Sequence, residues 1–108
     1  MINLPDELEH LKLGNHFNKN VDNLPKSLKT LEILGDFNHP VNNLPLGLKR
    51  IVFGDHFNQP LDCLPYGVEY IGFKMKSIFS YPLDNLPNSI IKLEILMLYP
   101  HTLNNLPG

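Results

Sequence analysis

FGDHFNQPLDCLP, residues 53–65, is the cleanest copy of a unit that recurs along the whole chain. Aligned on its closing Leu-Pro pair, the sequence shows Leu4-Pro5, Leu24-Pro25, Leu44-Pro45, Leu64-Pro65, Leu86-Pro87 and Leu106-Pro107, at steps of 20, 20, 20, 22 and 20 residues. A fixed period of this length is the signature of a solenoid. The units run over residues 4–23, 24–43, 44–63, 64–85 and 86–105, and the whole chain, 1–108, reads as a single repeat domain. Met1 to Asn3 match the end of a preceding unit, and Leu106 to Gly108 begin another, so the chain reads as a piece of a periodic array.

Within each unit an apolar set comes first: Leu8, Leu11, Leu13, then Leu28, Leu31, Ile33, then Leu48, Ile51, Phe53, then Val68, Ile71, Phe73, then Ile90, Leu93, Ile95. The alternation that closes each set has the period of a half-buried strand of about three to five residues. The three-residue gap before it would also suit one helical turn, but no unit holds enough helical pattern for a substantial helix. Glycine and Asx residues come after the strand and let the chain turn away (Gly14-Asn15, Gly35-Asp36, Gly54-Asp55). An aromatic column comes next, Phe17, Phe37, Phe57, Phe79 and Tyr99, with Asn18, Asn38 and Asn58 behind it, replaced by Ser80 and Pro100. A second apolar column is Val21, Val41, Leu61, Leu83 and Leu103. Each leucine before a proline is driven towards an extended backbone, and the proline withdraws a ladder donor. One side of the coil is therefore a strand ladder, the other is irregular, and the asymmetry is expected to curve the stack. One unit alone buries too little to offset its ordering, so units must stack.

The unit LPxxLxxLxxGxxFNxPLDN, written here as LPLGLKRIVFGDHFNQPLDC in residues 44–63, resembles the FNIP repeat, a relative of the leucine-rich repeats found chiefly in social amoebae and in giant viruses that infect them. The resemblance covers practically the whole chain. It implies a mainly β, leucine-rich-repeat-like right-handed solenoid of about five coils, with short parallel strands on its concave face. Family members often carry an F-box, which would tie a longer parent or a partner to ubiquitin ligases. The fourth and fifth units depart from the pattern at Phe79-Ser80 and Tyr99-Pro100, and the fourth holds two extra residues within Lys74 to Ile78.

Composition sets the function classes. Hydrophobic residues make up 43% and charged residues 19%, with net charge -2, so the chain falls in the folded range and calls for neither a strongly acidic nor a strongly basic partner. Nine Lys and Arg spread along the units make no nucleic-acid footprint. No apolar run approaches a bilayer span, and the N-terminal residues lack the pattern of a leader, so a cytoplasmic protein is expected, in the host cytoplasm if viral. Cys63, the sole cysteine, is expected as a reduced thiol.

Candidate chemistry is thin. His16 and His56 share a unit position but stand two coils apart, too far for one zinc ion. Asp22, Asp62 and Asp84 precede Leu-Pro where turn bonding accounts for them. Cys63 and the serines lack the setting of an activated nucleophile, and there is no phosphate-cradling loop. No catalytic, metal or cofactor residue is assigned. The asparagine column is expected to be a buried amide ladder from coil to coil.

The informative positions are those where repetition fails. Beside the buried strand residues lie two outward columns, His10, Thr30, Arg50, Tyr70, Lys92 and Lys12, Glu32, Val52, Gly72, Glu94. Arg50 and Tyr70 are the residue types most often found as interface anchors, with Val52 and Gly72 as a shallow floor. These ten residues are the candidate partner-binding set, for a protein or peptide. The fourth-unit insertion is a second candidate. The alternative reading is structural: identical chains stacking through uncapped ends at Leu4 and Leu103.

Overall fold

The computed structural model describes residues 5–74 and 76–95. The expectations placed on Met1 to Leu4, Met75, Tyr99, Pro100, Leu103 and the sixth Leu-Pro pair lie outside the described residues.

Five strands of four residues each form in chain order: β1 (His10–Leu13), β2 (Thr30–Ile33), β3 (Arg50–Phe53), β4 (Tyr70–Phe73) and β5 (Lys92–Ile95). They make one parallel sheet in the order β1-β2-β3-β4-β5. There is no helix among the described residues. The register pairs equivalent positions throughout, as in Leu11↔Leu31, Leu31↔Ile51, Ile51↔Ile71 and Ile71↔Leu93. The chain is thus the expected repeat solenoid.

The gap before each strand is a single hydrogen-bonded turn. The N–H of Leu8 donates to the Pro5 carbonyl at 3.3 Å, and the bond recurs from Leu28 to Pro25, Leu48 to Pro45, Val68 to Pro65 and Ile90 to Pro87. Proline fits the start of this turn because it supplies the carbonyl and its own missing donor is not needed. Leaving the turn, Lys29, Lys49, Glu69 and Ile91 donate to the carbonyls of Glu9, Lys29, Lys49 and Glu69 at 2.7–2.8 Å. These bonds seat each coil on the one before it.

The coils meet most closely after the strands. A Cβ on Gly54 would stand 2.3 Å from the Gly35 nitrogen, and one on Gly35, whose φ is +74°, would stand 2.2 Å from the Asn15 carbonyl oxygen. No side chain fits there, which is the physical reason for glycine at both places.

Between the sheet and the irregular side lies an apolar core with no buried polar residue among the described residues. Phe37, Phe53, Phe57, Phe73 and Phe79 are buried. Phe17, Phe37, Phe57 and Phe79 stack with ring centroids 6.0 Å apart at each step. Phe53 and Phe73 form a second column, 5.6 Å apart, against Phe57 and Phe79 at 4.0 and 4.5 Å.

The asparagine column corrects an expectation. A ladder is present, because the Oδ1 of Asn18, Asn38 and Asn58 accepts the backbone N–H of Asn38, Asn58 and Ser80 at 3.1, 2.9 and 3.0 Å. It is not buried: Asn18 and Asn38 are exposed and Asn58 is intermediate. The bulky phenylalanine beside each asparagine fills the interior and leaves the amide at the rim, where water competes for its bonds. Asp22 and Asp62 stand in turns before Leu-Pro and add bonds between coils. Asp22 and Asp62 accept across coils from the side-chain amides of Asn43 and Asn85, at 3.4 and 3.3 Å.

These placements separate two costs. Phe57→Ala is expected to destabilise by about 3–5 kcal/mol, the usual range for emptying a buried aromatic site. Asn38→Ala is expected to lose only about 0.5–1.5 kcal/mol, since water replaces the exposed amide. Urea melts of the two variants check this, and equal losses would contradict a rim ladder.

Candidate functional site

The outward columns of the sheet sort into three groups. At one end His10 Nδ1 and Thr30 Oγ1 form a hydrogen bond of 2.6 Å between exposed groups. Lys12 and Lys92 are exposed and make no ion pair within 4.0 Å among the described residues. In the middle, the remaining candidates converge. Glu32, Arg50, Val52, Tyr70, Gly72 and Glu94 line a hollow of about 90 Å³ together with Phe73 and Lys74.

The centre of this cluster is Tyr70. In-register pairing places Arg50, Tyr70 and Lys92 side by side on β3, β4 and β5, with Val52, Gly72 and Glu94 two residues further along. The Tyr70 ring leans over its own strand: a Cβ on Gly72 would lie 3.0 Å from the hydroxyl and 3.1 Å from Cε2. From there the hydroxyl donates to Glu94 Oε1 at 2.5 Å. On the opposite side the Arg50 guanidinium carbon sits 3.9 Å from the ring centroid, a cation–π contact. The ring is held from both flanks and from below.

Val52 and Gly72, read above as a shallow floor, line the hollow from beneath the ring. Val52 is only 5% exposed, and Gly72 is buried. Glycine gives the tyrosine room to lie over the strand, so the outward surface here is the ring with its two charged neighbours. Lys74, the first residue of the fourth-unit insertion singled out above as the second candidate, lines the same hollow, so the two candidates adjoin there.

Burial raises the ionisation point of the Tyr70 phenol above its ordinary value, and the Glu94 carboxylate raises it further, while Arg50 opposes them. A group whose folded-state pKa is raised contributes stability below its unfolded value, near 10 for tyrosine, and loses it as pH climbs through the folded-state value.

Elsewhere, Asp36 stands between two histidines, with His16 Nδ1 3.4 Å and His56 Nδ1 3.6 Å from its two oxygens. They border a larger hollow, about 570 Å³, with Lys74 and Lys76. Among the described residues no group of three His, Cys, Asp or Glu side chains is placed to hold a metal ion. Cys63 is free and exposed.

An alkaline absorbance titration tests the Tyr70 geometry. A late component, ionising above the ordinary tyrosine range, is expected, and Tyr70→Phe should abolish it. Glu94→Gln should move it back towards the ordinary range. A late component that survives Tyr70→Phe would place the perturbed phenol elsewhere.

No curated protein matches the chain. A family model described as FNIP Repeat matches residues 2–36 and again residues 37–76, together well over half of the sequence. With its unit, its parallel ladder and these two matches in agreement, the chain belongs to the FNIP repeat family.

Proposed function

We propose that this solenoid is a non-enzymatic protein-interaction module that takes a partner protein or peptide on the outward face of its sheet. The observation that carries the reading is the Arg50–Tyr70–Glu94 cluster, an aromatic ring fixed between a cation and an anion on top of Gly72. Buried columns of the framework stay apolar from coil to coil, whereas this cluster joins a cation, an aromatic ring and an anion from three strands. Tyrosine and arginine dominate binding energy when a partner desolvates them. Here both are already ordered, so less side-chain freedom is lost when a partner arrives. The outward face carries charge of both signs, in keeping with recognition of a protein surface rather than of nucleic acid.

The site also gives no support to a catalytic reading. Tyr70 commits its hydroxyl to Glu94, and Arg50 is stacked on the ring.

The test is affinity capture from host-cell extract with the wild-type chain beside Arg50→Glu and Tyr70→Ala, each first shown to keep the wild-type circular dichroism spectrum. Each variant should weaken retention of the specific partner by about tenfold or more, as for truncation of an interface anchor. Partners retained equally by all three proteins would rule out the strand face as their site.

A further inference from the structure

The turns leading into the strands carry a second irregular feature. The residue after each Leu-Pro pair is Asp6, Lys26, Leu46, Tyr66 and Asn88 in successive units. Two of these are apolar and stand on neighbouring coils, with Leu46 83% and Tyr66 76% exposed. A single exposed leucine is ordinary on a protein surface. A pair at one position of adjacent coils, each with a cation near its turn, is a patterned surface.

The next position of the turn differs between units as well. In the second and fifth units it is serine, and its hydroxyl is used to tie coils together. Ser27 Oγ is 2.8 Å from the Asp6 carbonyl oxygen and 2.6 Å from that of Leu8, and Ser89 Oγ donates to the Val68 carbonyl at 2.7 Å. In the third and fourth units it is Gly47 or Gly67, and a lysine from the preceding coil comes over the glycine. Lys29 Nζ lies 3.4 Å from where a Gly47 Cβ would stand, and Lys49 Nζ lies 3.6 Å from the corresponding point on Gly67. Each ammonium group thus lies near the turn that carries Leu46 or Tyr66. Among the described residues, neither lysine has a carboxylate within 4.0 Å.

The result is two apolar–cation pairs, Leu46 with Lys29 and Tyr66 with Lys49, repeated one coil apart, about 4.8 Å by strand spacing. We propose that they form a docking surface, separate from the strand face, for an acidic protein segment that carries apolar side chains among its carboxylates. Charge complementarity selects this occupant: unpaired ammonium groups call for carboxylates, and the exposed Leu46 and Tyr66 gain from apolar cover. An anionic membrane would meet the charges as well, but two apolar side chains give little insertion.

A fluorescein-labelled Glu-Glu-Leu-Phe-Glu-Glu peptide is the probe, read by fluorescence anisotropy at low salt. Three controls accompany it: the same peptide with lysine for glutamate, the same peptide with serine for leucine and phenylalanine, and phosphatidylserine–phosphatidylcholine vesicles in a sedimentation assay. Saturable binding of the acidic apolar peptide is expected, weakened about tenfold in Lys29→Glu/Lys49→Glu and in Leu46→Ser/Tyr66→Ser, and unchanged in Arg50→Glu. All substituted residues are exposed, and circular dichroism confirms that the variants fold. Absence of binding, equal binding of the lysine peptide, or full binding by both double variants would overturn the proposal. Binding to vesicles but not to the peptide would overturn it in favour of a membrane. Loss on Arg50→Glu alone would assign the peptide to the strand face and overturn a separate surface.

Discussion

Pairing in register at an offset of one unit is the constraint on which the rest of this structure depends. No unit has a second layer of its own to bury against, so each side chain meets the equivalent side chain of its neighbours. Phenylalanine, leucine and isoleucine stack well on themselves, and an asparagine can accept from the next coil while its own backbone donates to the previous one. Charged groups cannot obey the same rule, because like charges directly opposite each other repel. The column Lys12, Glu32, Val52, Gly72, Glu94 alternates or dilutes charge, and His16, Asp36, His56 places an anion between two imidazoles. Part of the variety on the surface is therefore framework in origin.

Much of the fold could be read from the residues because the physics repeats. Leu11, Leu31, Ile51, Ile71 and Leu93 were legible as one buried column from spacing alone, and the strands form around them. The depth of the asparagines was not legible. Whether an amide beside a buried phenylalanine points inwards or sits at the rim depends on how much volume the ring fills, and Phe37 and Phe57 fill it.

The candidate site was legible in membership and misread in form. Arg50 and Tyr70 stand out as residue types on adjacent strands, and they do meet. That Tyr70 would lie over Gly72 and reach Glu94, 24 residues on, depends on a side-chain rotamer that no periodicity encodes. The same holds for Lys29 and Lys49, whose ammonium groups end near Gly47 and Gly67 of the next coil. Gly72 acts by the room it leaves for Tyr70, so a reading that looks for functional groups at each position passes over it.

The two additional residues of the fourth unit sit in the turn between β4 and Phe79, where the N–H of Ser77 closes on the Lys74 carbonyl and Ile78 donates back to Asp55. Beyond them the coil rejoins its neighbour without displacement: Phe79 stacks on Phe57 at the same 6.0 Å, and Ser80 donates to Asn58 across 22 residues as Asn58 does to Asn38 across 20. Contacts here are matched by position within a unit and not by distance along the chain. Such a molecule tolerates errors in copying its own length: a turn can grow, or a whole unit can be gained or lost, and the flanking coils still find the partners they require.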